Sequence, residues 1–318
     1  MIQIDDAGSG SLIGGTGIGI LNTKTGGYYF EVIPLKFYQT DLFEKKIYQD
    51  YVINIVIKAF SKLEVKSTEK IQVCQGYMFD KLRLWLDENK YSWDSTKIEG
   101  SLQNMVEESF NQYVINLGLP EAFIKHARYA FGFHRLLKWV FADISNRKKL
   151  CKTQWKSWQK WGNIDKSIYY NNLSYPDYCL KCGKKMRPST KVVTIEYMTN
   201  KPATINMHNK CYSGRLNPYP PTFLHNFTIF IKVKKYSLND LQINQDLLLQ
   251  NIDNNIHVLD LRNRPIGLLN NWYGEKLKFW LDCGFSWSCR IEEISDNKIQ
   301  LGLLINKDKA IQKDFAVN

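Results

Sequence analysis

No stretch of this 318-residue chain approaches the roughly 18 consecutive apolar residues of a membrane-spanning helix. The opening residues run directly into a strand pattern, with no basic leader and no cleavable apolar segment, so neither membrane insertion nor export is expected. Low-complexity tracts and internal repeats are missing as well, and a composition that is 44% hydrophobic and 14% aromatic describes a folded chain, not a disordered one. No phosphate loop with its lysine is present, and no Ser/His/Asp or Cys/His arrangement stands out, which removes the familiar signatures of P-loop hydrolases and covalent catalysts. Histidines number only 5, and His126 and His134 sit in an aromatic stretch that reads as packing.

Cysteine is present in odd number, 7, with one close CxxC pair, which suits a reducing compartment and a metal site; the chain reads as cytoplasmic. Its length predicts two or three units. The net charge of +12 is unevenly spread. Residues 1–120 hold 12 Lys and Arg against 15 Asp and Glu, whereas residues 121–220 hold 19 against 5. That middle third would build a field attractive to polyanions, with nucleic acid as the obvious partner, although a basic segment also serves simply as a solubilising surface.

Met1–Asp5, Ile13–Leu21 and Tyr28–Phe37 read as three antiparallel strands, with "NTKTGG" as a hairpin turn between the last two. A helix over Leu42–Leu63, a short strand in "KIQVCQG", a helix over Met78–Asn89, a strand at Ser95–Glu99 and a helix over Ser101–Leu117 follow. The order βββαβαβα predicts a mixed α/β sheet flanked by helices. Helix is expected from Ala122 to Trp161, then a cysteine-bearing module to about Pro218, a linker at "NPYPPT", and a series of short strands with one helix. The expected division is 1–162, 163–220 and 221–318.

"DDAGSGSLIGG", from Asp5, resembles the opening motif D-E-A-G-R-G-x-L-x-G of type 2 ribonucleases H, with Asp5 and Asp6 at the acid pair and Ala7, Gly8, Gly10, Leu12 and Gly14 in register. The resemblance implies a ribonuclease H-like fold over roughly residues 1–150 and a metal-dependent nuclease that hydrolyses phosphodiester bonds. Two-metal hydrolysis needs clustered carboxylates, and hard Mg²⁺ or Mn²⁺ prefers their oxygens. Later acids implied by the family are Glu99 in "KIEG" and Asp143 in "WVFADISNR", with Asp80, Glu107 and Glu108 as substitutes. Glycines after the acids are expected to let a nucleic-acid backbone approach. The motif departs from the family at Ser9, where an arginine is usual, at Asp6, where glutamate is usual, and at "CQG", where the fourth strand ends with no acid at Cys74 or Gln75. A surface Asp-Asp before a glycine turn, or an ATP-cradling loop in "GGTGIGI", remain open readings of the same residues.

Cys179 and Cys182 in "CLKC", followed after 25 residues by His208 and Cys211 in "HNKC", have the spacing of a structural zinc site. Gly183 follows the second ligand, as a zinc knuckle requires, and Lys184 and Lys185 place charge beside it. In "NRKKLCKTQWKSWQKWG" Arg147, Lys148, Lys149, Lys152 and Lys156 alternate with Trp155, Trp158 and Trp161. On one helix these would form a phosphate-tracking stripe beside rings that stack on bases, or else tryptophans packed inward under solvated lysines. "RPIGLL", carrying Ile266, Gly267 and Leu268, resembles HIRAN-type modules, small barrels that bind DNA ends; an SH3-like or generic β-barrel is the alternative. The reading is therefore a ribonuclease H-like sheet, a zinc module and a small β-barrel, acting as a nuclease on DNA, RNA or a hybrid. The alternative is a non-catalytic zinc-containing nucleic-acid binder with a degenerate ribonuclease H-like fold.

Overall fold

Alternation of isoleucine and glycine in "TGIGIL" decides how the first sheet is covered. In a strand, successive side chains point to opposite faces, so Ile18 and Ile20 face one way and Gly17 and Gly19 the other. The computed structural model describes residues 1–127, 130–233, 240–295 and 297–306. It divides into two units, Met1–Ile164 with Pro176–Met186, and Asp165–Tyr175 with Arg187–Asn318.

In the first unit β1 (Ile2–Ala7), β2 (Thr16–Asn22) and β3 (Tyr28–Ile33) form the antiparallel meander. After α1 (Ile47–Lys62) comes β4 (Ile71–Cys74), then α2 (Asp80–Glu88), β5 (Trp93–Thr96) and α3 (Ser101–Asn116). β4 and β5 are parallel to β1, giving the order β3-β2-β1-β4-β5 in a five-stranded mixed sheet. The expected succession of strands and helices is present. Its bounds differ: β3 ends before Pro34, which offers no N–H to a ladder, and β5 starts at Trp93, opposite Ile71, so Glu99 lies beyond the strand.

Ile2, Ile4, Ile18 and Ile20 pack with Val52, Ile55 and Val56 of α1 and with Leu82 and Leu86 of α2. On the opposite face α3 lies close because glycine leaves room. A Cβ on Gly19 would stand 2.9 Å from Val106 Cγ2, and one on Gly8 would fall inside the Phe110 ring. Gly8, Gly14 and Gly15 of the loop are thus met by Phe110, Tyr113 and the Ile33 carbonyl, where a nucleic-acid backbone was expected to approach.

From 122 to 161 the chain is not one helix. α4 (Ile124–Ala127), α5 (Phe133–Phe141), α6 (Ile144–Arg147) and α7 (Lys156–Trp161) are separated by turns. Between α6 and α7 the backbone is stitched to the loop after β1: Gly14 N donates to Leu150 O at 2.9 Å and Lys152 N to Leu12 O at 3.0 Å. These bonds break the stripe expected for Arg147–Trp161, since the residues no longer share one helical face.

β6 (Ser167–Asn172) belongs to the second unit, after which β7 (Asp177–Tyr178) and β8 (Lys185–Met186) make a short ribbon in the first. In the second unit β9 (Lys191–Met198) lies between β6 and β10 (Pro202–His208). Glu196 on β9, 1% exposed, is bonded to Lys276 and accepts from Thr204 Oγ1 at 3.2 Å. "NPYPPT" is not a free linker: Asn217 exchanges backbone hydrogen bonds with Ile168, and Pro220 and Pro221 are buried.

β11 (Asn226–Lys232), β12 (Asp246–Ile252), β13 (Asn255–Leu259), β14 (Pro265–Leu269), β15 (Trp287–Ser295) and β16 (Lys298–Ile305) form an antiparallel sheet in the order β11-β16-β15-β12-β13-β14. It surrounds a core with Trp280 and Leu277 of α8 (Trp272–Asp282). Among the described residues no ladder joins β14 back to β11, so the expected barrel is an open sheet. Its two ends approach through side chains instead, Gly267 lying against Ile231.

Gly8 has φ +78° and Gly26 has φ +74°, but only Gly8 lacks space. Gly26→Ala is expected to cost about 1 kcal/mol from backbone strain alone, and Gly8→Ala about 2–3 kcal/mol because it also overpacks the core against Phe110. Urea unfolding of both variants measures the difference.

Candidate functional site

The acid pair is set by pairing of β1 with β4. Their parallel register aligns Ile4 with Val73, which brings the end of β4 beside Asp5. Ligand atoms of Asp5, Asp6 and Cys74 lie within 4.8 Å of one another. Asp5 is 6% exposed, and burial raises its pKa against the opposing hydrogen bond from the Cys74 thiol. Burial also pushes that thiol up to about 12, so at neutral pH it is a protonated donor. Asp6 is partly buried and raised to about 6 by burial and by Asp5, with hydrogen bonds from Ser9 and the charge of Lys152 acting against the shift.

Lys152 is the unexpected member of this site. Expected on the surface as a phosphate contact, it is 0% exposed, and its Nζ donates to Gly8 O at 2.6 Å and Ser11 O at 2.9 Å. The ammonium lies 5.1 Å from the Tyr38 ring centroid and 4.8 Å from that of Trp155. Burial lowers its pKa to about 7, opposed by the charge of Asp6. The loop carrying the acid motif is thus closed from beneath by a lysine and from above by Phe110.

The remaining acids are elsewhere engaged. Glu99 is exposed and paired with Lys97 at 2.5 Å. Asp143 accepts from Asn146 Nδ2 at 3.1 Å and pairs with Lys181 at 3.4 Å. Asp80 is held by Arg83 at 2.9 Å. Among the described residues the group around Asp5 and Asp6 has Cys74 as its third member and includes neither Glu99 nor Asp143, so those two assignments are corrected.

The basic segment also turns inward in part. Arg147 Nη1 donates to Trp139 O at 2.7 Å and Leu180 O at 2.9 Å, and Nη2 donates to Lys181 O at 3.1 Å. Its guanidinium stands 4.1 Å from the Trp139 ring centroid. Arg147 therefore fastens the CxxC turn, and its expected contact with nucleic acid is replaced by backbone carbonyls. Trp158 is 4% exposed, Trp161 lies against His134 and Lys160, and one face of Trp155 is taken by Lys152. Lys148, Lys149, Lys156, Lys184 and Lys185 are exposed, as expected.

Cys179 and Cys182 occupy the turn between β7 and β8. Cys179 N donates to Lys184 O at 3.0 Å, Gly183 N donates to Cys179 O at 2.8 Å, and Gly183 adopts φ +73°, so the backbone folds back after the second thiol. His208 ends β10, and Cys211 closes a 3₁₀ turn, Asn209–Cys211; Cys211 Sγ is 3.9 Å from His208 Nδ1. Cys179 and Cys182 thus place two thiols on one turn of the first unit, and His208 and Cys211 place an imidazole and a thiol at the end of β10 in the second. Thiolate and imidazole are the donor types that tetrahedral zinc takes.

Because the folded-state pKa of Lys152 lies below its unfolded value of 10.5, the charged lysine costs stability at and below neutral pH. That cost declines as pH climbs from about 7 towards 10.5, where the unfolded chain still holds the proton. Urea midpoints of the wild type and Lys152→Met, compared at pH 7 and pH 9.5, are expected to shift in the wild type's favour at the higher pH; a constant difference would contradict the buried titration. No protein-family model matches this chain, and no curated protein matches it in sequence.

Proposed function

We propose that this chain is a non-catalytic, zinc-containing nucleic-acid-binding protein of the cytoplasm, built on a ribonuclease H-like sheet and a second unit with an open antiparallel sheet. The observation that carries this reading over a nuclease is the company of the acid pair. Two-metal hydrolysis needs several carboxylates around two hard cations. Asp5 and Asp6 instead have a thiol as third neighbour, and the ammonium of Lys152 is buried beneath their loop and acts on Asp6. This donor set does not fit a pair of Mg²⁺ or Mn²⁺ ions, and no hydrolytic step is derived from it.

Support for binding comes from the charge of residues 121–220 and from the exposure of Lys148, Lys149, Lys156, Lys184 and Lys185. Cys179, Cys182, His208 and Cys211 would hold zinc with four protein ligands. Such a site leaves no open position for substrate, so its contribution is to local folding. An odd number of cysteines, 7, with one close CxxC pair suits a reducing compartment.

Purified protein is expected to carry one zinc per chain, read by metal analysis, and Cys179→Ser is expected to lose it together with thermal stability. With labelled DNA and RNA in Mg²⁺ or Mn²⁺, the expectation is salt-sensitive binding without cleavage. Cleavage that disappears in Asp5→Asn would overturn the non-catalytic reading in favour of a nuclease.

A further inference from the structure

We infer that the two lysine pairs of the first unit, Lys148–Lys149 and Lys184–Lys185, form one pre-built face for the phosphate backbone of a duplex. This inference rests on the nucleic-acid-binding reading and says where, and by what chemistry, the polyanion is held.

The first ground is that the two pairs belong to segments clasped together by the half-buried Arg147. Arg147 immediately precedes Lys148, and its guanidinium takes the carbonyls of Leu180 and Lys181, just ahead of Lys184. Lys181 adds a 3.4 Å pair to Asp143, the residue before α6. The cations are therefore carried on backbone that is fixed before any ligand arrives.

The second ground is the anchoring of the Lys148–Lys149 segment. Gln39 Nε2 donates to Lys149 O at 2.8 Å and Cys151 O at 3.1 Å, and Gly14 N donates to Leu150 O at 2.9 Å. Beside these bonds lies an open groove of about 520 Å³ lined by Gln39, Ser145, Lys148, Lys149 and Thr153 with one apolar residue, Ile144. All four lysines are exposed, and none pairs with an acid among the described residues. Rigid backbone lowers the ordering cost of binding.

The third ground selects duplex over single strand. Binding of single strands without sequence preference depends on rings that stack on bases; of the three tryptophans of this segment Trp158 is buried, Trp155 has one face on Lys152, and Trp161 lies against His134 and Lys160. Tyr178, opposite Lys185 across β7 and β8, is an exposed ring beside these cations; four lysines against that ring make charge the leading interaction, which favours the polyanion with the denser charge. A duplex presents one phosphate per about 1.7 Å of axis, against about 3.4 Å for each strand.

The test uses the full chain and fluorescence anisotropy with a labelled 20-base-pair DNA duplex and the matching single strand, from low to moderate salt. The wild type is expected to bind the duplex several-fold more tightly. Each lysine that neutralises a phosphate contributes about 0.9 to the slope of log affinity against log salt. Lys148→Gln/Lys149→Gln and Lys184→Gln/Lys185→Gln are each expected to lower that slope by about 2. These side chains are exposed, and circular dichroism checks that both variants remain folded. A wild type that binds, with both variants keeping its slope, overturns this face while leaving the nucleic-acid reading intact. Tighter binding of the single strand overturns the duplex assignment. A wild type that binds neither nucleic acid removes the functional reading and this inference together.

Discussion

A single ammonium group beneath a loop organises the first unit. Lys152 has three protons to place in a site without water-exposed surface, and the carbonyls of Gly8 and Ser11 accept two of them. Burying a charge is costly unless it is bonded and compensated, and here the compensation comes from those carbonyls, the charge of Asp6 and the faces of Tyr38 and Trp155. The loop, the acid pair and the segment leading to α7 are consequently one structure. None of them can move without exposing or unbonding the lysine.

The interplay of glycine and α3 is the second constraint, and it was partly legible. The alternation in "TGIGIL" is a strand pattern with one empty face, and the succession of three strands, helix, strand, helix, strand, helix could be read from periodicity and turn residues. The partner of that empty face was not legible, because nothing local in the sequence says that Val106 of α3 meets it at Gly19. The same holds for Lys152. Its neighbours are basic, its period is ambiguous, and its burial is fixed by hydrogen bonds across 141 and 144 residues of chain. Tertiary pairing of this kind leaves no mark in a local window.

Cysteine spacing was more informative, since the CxxC and HxxC pairs each report their own tight turn. The missing acid in "CQG" also had a visible signal: Cys74 at the end of β4 is the residue that stands beside Asp5. Arg147 shows where charge counting misleads. An arginine in a lysine run reads as a phosphate contact, yet its planar fork matches backbone carbonyls equally well, and the chain uses it to seat the turn between two cysteines. Net charge identified the segment; only packing separated the cations that face solvent from those that hold the fold.

The long reach of the Lys152 clasp bears on the order in which the chain can acquire its shape. The β1–β2–β3 meander is local and can pair as soon as it leaves the ribosome, whereas contacts of high sequence separation form late. Until residue 152 has been synthesised and docked, the loop carbonyls lack their donor, and Asp5 and Asp6 sit beside a loop that water can still reach. The acidic motif is thus made first and sealed last, and a nascent or truncated chain that stops short of α7 presents a different electrostatic surface from the finished protein.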